Sequence, residues 1–147
     1  MIRNHSIKHF ILAFLLLTFA VNYTVSGQSS ESVTVSGLKT EYYTNPVGID
    51  NLNPRLSWII ESGMQNTVQE AWQIQVATSR HSLETGDLIW DTDKINSDVS
   101  IHHSYNGPDM QSGQRYYWRV RIWDNHGNVS PWSEVSFWEM GLLKIDD

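Results

Sequence analysis

The chain has 147 residues, ten basic and sixteen acidic side chains, no cysteine and a formal net charge of −6. Without cysteine the fold cannot rest on disulfides, and lipid anchoring on cysteine is excluded. The acidic balance argues against nucleic acid as a partner, because that affinity rests on cationic contacts. Met1 to His9 carries Arg3 and Lys8, and Phe10 to Ala20 is an apolar run with Thr18 as its one polar residue. The run is shorter than the roughly 20 residues that span a bilayer and has the length of a signal-peptide core. Small residues from Val25 to Gln28 place a cleavage site after Gly27. The expected division is a signal peptide over 1–27, a flexible lead-in over 28–37, one domain over 38–143 and a truncated linker over 144–147. This predicts a secreted or periplasmic protein, bound to a membrane only if the leader is retained. The mature chain would keep eight basic against sixteen acidic residues, a net charge of −8.

From Leu38 onward the pattern has period two, with turn residues between short runs, which predicts strands. An early strand is expected around Leu38 to Tyr43. Arg55 to Ile60 puts Leu56, Trp58 and Ile60 on one face, and Pro54 suits a strand entry. Ala71 to Thr78 puts Trp72, Ile74 and Val76 on one face with Gln73 and Gln75 opposite. One helical turn is allowed over His81 to Asp87, followed by a short run from Leu88 to Asp91. Val99 to Tyr105 alternates Val99, Ile101, His103 and Tyr105 against Ser100, His102 and Ser104. Tyr116 to Trp123 sets Tyr116, Trp118, Val120 and Ile122 on the core face. Ser133 to Glu139 is read with Val135 and Phe137 inward, leaving Trp132, Glu134, Ser136 and Trp138 outward. About seven short strands predict an all-β sandwich of immunoglobulin or fibronectin type III kind.

The order of these strands resembles a fibronectin type III domain, and "MQSGQRYYWRV" (Met110 to Val120) resembles the run leading to that family's corner tyrosine, here Tyr116. A narrower resemblance joins "NPVGIDNLNPRLSW", "AWQIQVATS", "LIWDTDKI" and the stretch from Tyr105 to Leu143. Together they resemble the N-terminal domain of bacterial α-L-rhamnosidases over about Leu38 to Leu143. In "WDTDK", Asp93 stands where that family more often has glycine. The resemblance implies an accessory module whose partners are the catalytic and other domains of a rhamnosidase, an enzyme class acting on terminal α-L-rhamnose. The family's chemistry lies in a helical barrel, where two carboxylates invert the anomeric centre, and this sequence ends where the next module would begin. No catalytic residue is therefore carried over.

The acidic residues Asp87, Asp91, Asp93, Asp98, Asp109 and Asp124 lie near predicted turns, where Asp is favoured for local hydrogen bonding. No feature marks a catalytic pair among them. His102 and His103 are adjacent on a strand and so point to opposite faces, which is no metal signature. No cofactor is expected. One cluster remains: Tyr117, Arg119, Arg121 and Trp123 share the outward face, and the following segment adds Trp132 and Trp138, with Glu134 expected beside the guanidinium groups. "SPWS" (Ser130 to Ser133) resembles half of the tryptophan–arginine ladder motif of some receptor fibronectin modules. Two uses stay open for this face. It is a structural ladder or packing surface for a neighbouring domain, or it is a platform on which indoles stack on sugar rings. Three functions follow: a non-catalytic accessory module of a secreted α-L-rhamnosidase, a free-standing carbohydrate-binding module for rhamnose-containing glycans, or a structural or adhesion module docking on a partner protein.

Overall fold

The computed structural model describes residues 32–143. The expected signal peptide and the end of the chain, 144–147, lie outside the described residues. Eight strands and one short helix follow in order: β1 (Thr34–Thr40), β2 (Arg55–Glu61), β3 (Gln69–Ala77), α1 (Arg80–Thr85), β4 (Trp90–Asp91), β5 (Ile95–Asn96), β6 (His103–Ser104), β7 (Arg115–Asp124) and β8 (Ser136–Glu139). One sheet has the order β1-β2-β6; the other has the order β4-β3-β7-β8, with β5 also paired to β3. All the strand pairings are antiparallel. This is the expected all-β sandwich.

The pairing of β3 with β7 sets the core. Trp72 faces Ile122, Ile74 faces Val120 and Val76 faces Trp118. Directly opposed residues share a face, so six apolar side chains enter the core together, all of them buried. Leu56 and Trp58 close the core from β2, with Val33, Val35 and Leu38 from the first segment. The Trp58 indole donates to Gln69 Oε1 at 3.0 Å, and Gln69 Nε2 donates to the carbonyls of Ser97 and Val99. A buried glutamine thus ties the loop before β6 to β3.

Four local readings change. The first strand begins at Thr34, inside the expected lead-in, and Val33 and Val35 are core residues. Val35 and Leu38 are three apart, so plain alternation cannot turn both inward. The register shift between Ser36 and Lys39 does so, at Gly37 with φ 59°. A Cβ there would come within 2.8 Å of Ile59 Cδ1. The strand expected over Val99 to Tyr105 shortens to β6, because His102 adopts φ 60° and breaks the alternation; Val99 and Ile101 are exposed. In the "WDTDK" turn the left-handed position is taken without glycine. Asp93 itself takes φ 52°, and its N–H donates to Asp91 Oδ1 at 2.9 Å.

The fourth change moves a residue out of the candidate face. Tyr116 pairs with Trp138 and Trp118 with Ser136. Since Tyr116 and Trp118 point inward, Trp138 and Ser136 must do so as well. A one-residue slip in phase exchanges the two faces of a strand; Trp138 is therefore core, at 0 % exposure, and Val135 and Phe137 turn outward. The Trp138 ring stacks on Tyr116 with centroids 5.6 Å apart, and its Nε1 donates to Met110 Sδ at 3.4 Å. The Tyr116 hydroxyl accepts from the Gln111 N–H at 2.8 Å, as the corner-tyrosine resemblance implies.

This assignment separates two indoles by their energetic role. Trp138→Ala should cost about 3–5 kcal/mol, the usual range for emptying a core aromatic site. Trp132→Ala, on the outer face, should cost about 1 kcal/mol. Urea unfolding midpoints of the two variants check the order.

Candidate binding face

Outward side chains of β3 and β7 form cross-strand pairs: Gln73 opposes Arg121 and Gln75 opposes Arg119. Arg119 donates through Nε and Nη2 to Gln75 Oε1, at 3.0 and 2.7 Å, and through Nη2 to the Leu83 carbonyl at 2.8 Å. Arg121 makes the same fork to Gln73 Oε1, at 3.0 and 2.8 Å. The glutamines are held in turn from β4. Gln73 Nε2 donates to Asp91 Oδ1 and Gln75 Nε2 to Asp91 Oδ2, each at 2.7 Å. One carboxylate therefore orients two amides, and each amide oxygen orients a guanidinium.

The indoles are placed by serines. Ser130 and Ser133 each pair through backbone N–H groups with β7, to the carbonyls of Ile122 and Val120. Their hydroxyls accept the Ile122 and Val120 N–H groups at 3.0 and 3.1 Å. A hydroxyl thus stands where a strand neighbour would offer a carbonyl. The segment hugs β7 without continuing the strand, and Trp132 between the two serines folds over the outer face. Arg119 and Arg121 lie 4.5 and 4.6 Å from the Trp132 ring centroid. Residues two apart on a strand are about 7 Å apart, so one indole reaches both guanidinium groups. Arg121 is also 5.1 Å from the Trp123 ring, and Lys94 Nζ is 4.8 Å from it. The resulting order is Lys94, Trp123, Arg121, Trp132, Arg119.

Of the six residues singled out in the sequence, Arg119, Arg121, Trp123 and Trp132 meet in this ladder. Tyr117 shares the face, but its ring contacts are Arg80, at 5.6 Å, and Phe137, at 6.1 Å. Trp138 is on the opposite face. Glu134 does not pair with the arginines: the ion pairs among the described residues are Arg55–Glu41 and Arg115–Glu139. Burial, and then the neighbouring Arg121, lower the Arg119 guanidinium from its ordinary value, with Asp91 and Glu84 opposing. Gln73, Gln75 and Asp91 were missed as ladder members. Their signal was present in the outward alternation of "WQIQV", and it became readable only once β3 was paired with β7.

The other sequence candidates serve local structure. Burial would raise the Asp124 carboxyl, but hydrogen bonds from Asn128 and His126 together lower it. Its Oδ1 accepts the His126 and Asn128 N–H groups and Oδ2 the Asn128 amide, which closes the loop after β7. His103 stacks on Trp58 with centroids 4.8 Å apart and lies 4.3 Å from the Trp72 ring. Burial holds its imidazole below the usual histidine value. His102 lies edge-on to Tyr42 instead. Among the described residues no three His, Asp or Glu side chains converge as metal ligands.

The family described as "Rha78A-like, N-terminal immunoglobulin domain" matches residues 35–144. The chain belongs to this family. Within this rhamnosidase N-terminal domain family, an α-L-rhamnosidase of Streptomyces avermitilis is 40 % identical over 112 residues, which is 76 % of this chain and 11 % of that protein. One from Alteromonas sp. is 36 % identical over 140 residues, 94 % of this chain and 15 % of its own length. The solved structure of the Streptomyces avermitilis enzyme complexed with L-rhamnose aligns with a TM-score of 0.74 at 39 % identity, covering 78 % of this chain and 11 % of that one. The α-L-rhamnosidase structure from Dictyoglumus thermophilum aligns with a TM-score of 0.73 at 35 % identity, covering 77 % and 13 %. The chain thus spans 11–15 % of the length of the curated relatives described.

Two measurements check the geometry of this family member. A double-mutant cycle of Arg119→Ala and Trp132→Ala should return a coupling of about 0.5–2 kcal/mol, the range of a cation–π contact between exposure and burial. Acid should weaken the fold through His103. Its pKa is depressed in the folded state, so the unfolded chain takes up the proton first. The stability is full above the ordinary value of about 6.5 and falls as pH drops through the folded value. His103→Phe should flatten that part of a stability-against-pH curve.

Proposed function

We propose that this chain acts as the non-catalytic N-terminal accessory module of a secreted α-L-rhamnosidase. The observation that carries the proposal is the match of residues 35–144 to a domain that is N-terminal in proteins of that name, of which the chain covers only 11–15 %. Its partners in this role are the catalytic and other domains of such an enzyme. Secretion rests on the apolar run from Phe10 to Ala20.

The hydrogen bonding around Glu139 to Leu143 supports a positioning role. Glu139 N–H donates to the Pro46 carbonyl and Ile49 N–H to that of Glu139, at 2.9 and 3.0 Å. Gly141 N–H donates to Ile49 and Met140 N–H to Gln114, at 2.7 and 3.0 Å. Leu143 N–H donates to Ser112 Oγ at 2.9 Å. Two loops thus grip the segment from either side, and in the proposed role that grip would set the angle at which a following domain departs. Ladder geometry supports the same reading. With two guanidinium groups within 4.6 Å of its ring centroid, Trp132 is already engaged within the ladder, and a rigid outer edge suits domain packing.

A non-catalytic module also agrees with how the carboxyls are used. Glycosidases need two carboxyls flanking the bond, with the acid partly desolvated. Asp91 and Asp124 are engaged in structural hydrogen bonds, while Asp50 and Asp109, on the rim of a cavity of about 510 Å3, both stand exposed.

Incubation of the purified chain with an aryl α-L-rhamnoside should release no aglycone above the blank; turnover abolished by replacing one acidic residue would overturn the non-catalytic role. Intact-mass analysis of the protein exported from a bacterial host should give a chain starting at Gln28.

A further inference from the structure

A second concave surface lies on the other side of Asp91 from the ladder arginines, where the edge strands β4 and β5 of one sheet approach β6 of the other. It is a groove of about 610 Å3, within the roughly 300–1,000 Å3 of small-molecule sites. Its apolar wall consists of Trp72, Trp90 and Ile95, and its polar wall of His102, His103, Ser104 and Asn106.

The polar wall keeps unused hydrogen-bond acceptors. His103 Nε2 lies 2.9 Å from the Val99 carbonyl. A carbonyl only accepts, so Nε2 carries the proton and Nδ1 of the neutral ring is left as an acceptor. Asn106 uses its Nδ2 on the Ser104 carbonyl at 3.2 Å, which leaves Oδ1 as a second acceptor. The groove's carboxylate, Asp91, is already engaged by Gln73, Gln75 and the Asp93 N–H. No lysine or arginine lines the groove. Trp72 Nε1 is one of three buried side-chain polar atoms without a partner among the described residues, and such atoms in a folded protein call for an explanation.

The walls are also held in place before any ligand arrives. His103 packs against Trp58 and Trp72, which also contact each other, and Trp90 is set edge-to-face with Tyr105 at 4.9 Å. His102 in the lining takes a left-handed conformation, with φ 60°.

We infer that this groove binds a neutral pyranose unit of a glycan, an apolar face of the sugar ring lying against Trp90 and Ile95 and its hydroxyls donating to His103 Nδ1 and Asn106 Oδ1. The ligand is neutral because the groove offers no free cation or carboxylate. It is polyhydroxylated because the free groups of the polar wall, His103 Nδ1 and Asn106 Oδ1 among them, pair with hydroxyls, and it has an apolar face because Trp90 and Ile95 also line the groove. The inference goes beyond the accessory role and is independent of it, since an accessory domain can position an enzyme with or without holding sugar.

NMR titration of the chain with methyl α-L-rhamnopyranoside and methyl β-D-glucopyranoside, with galacturonate as the anionic control, tests it. At least one neutral glycoside should shift the Trp90 and Trp72 indole N–H and the Asn106 amide signals saturably, and galacturonate should not. Trp90→Ala and the exposed-site variant Asn106→Ala should each weaken binding about tenfold or more, the worth of one lost stacking or hydrogen-bonding partner. Trp132→Ala, in the ladder, should leave it unchanged. Absence of any saturable shift, shifts centred on Trp123 and Trp132, or undiminished binding by a folded Asn106→Ala variant would each overturn the inference.

Discussion

The register between β3 and β7 couples the two faces of the larger sheet. When Ile74 meets Val120, Trp72 must meet Ile122 and Val76 must meet Trp118 on the inner side. On the outer side Gln73 must meet Arg121 and Gln75 must meet Arg119. A slip by one residue would turn one of the two strands over, putting either Gln73 and Gln75 or Arg119 and Arg121 into the core and exposing that strand's apolar residues. Hydrophobic burial therefore selects the register, and the ladder is built on the same choice. The placement of β8 follows at one remove, since pairing with Tyr116 and Trp118 determines which of its side chains reach the core.

The ladder gives an acidic protein an ordered strip of cations without buried ion pairs. Taking a carboxylate and a guanidinium out of water together carries a desolvation cost that their attraction need not repay. Here the guanidinium groups meet neutral amide oxygens, and the carboxylate of Asp91 stands behind the amides, fixing which end of each glutamine faces the arginine. Arginine suits this position better than lysine, because its planar fork can hydrogen-bond in the sheet plane while its face lies on an indole. The serines at 130 and 133 complete the arrangement by satisfying two β7 N–H groups that an irregular segment would otherwise leave unpaired.

Two surfaces of one small domain thus have different chemistry. The ladder is rigid and cationic, and its Trp132 indole is already stacked; these properties suit contact with another protein surface. The groove between the sheet edges has no free charge and retains acceptors, properties that suit a small neutral ligand. The grip on Glu139 to Leu143 belongs to a third region, where loops on either side of that segment restrict its direction. In the proposed accessory role these regions would act on domain orientation, without supplying the acid or the base.

Much of this was legible in the residues themselves. Period-two alternation in Arg55 to Ile60, Ala71 to Thr78 and Tyr116 to Trp123 specified three strands and their inner faces, because burial of one face is a local property of the pattern. The order of motifs also pointed to the rhamnosidase N-terminal family. The pattern failed where the backbone departs from a regular pleat: at Gly37, where a bulge turns both Val35 and Leu38 inward, and at His102, where a left-handed residue ends the alternation. It also misplaced Trp138, since an isolated strand of alternating residues has two self-consistent phases and only the pairing with Tyr116 chooses between them. Arg119, Arg121, Trp123 and Trp132 could be assigned to one face by sequence alone. That Gln73, Gln75 and Asp91 hold them, and that His103, Trp90 and Asn106 meet around a groove, was decided by the tertiary structure, because those contacts join segments far apart in the chain.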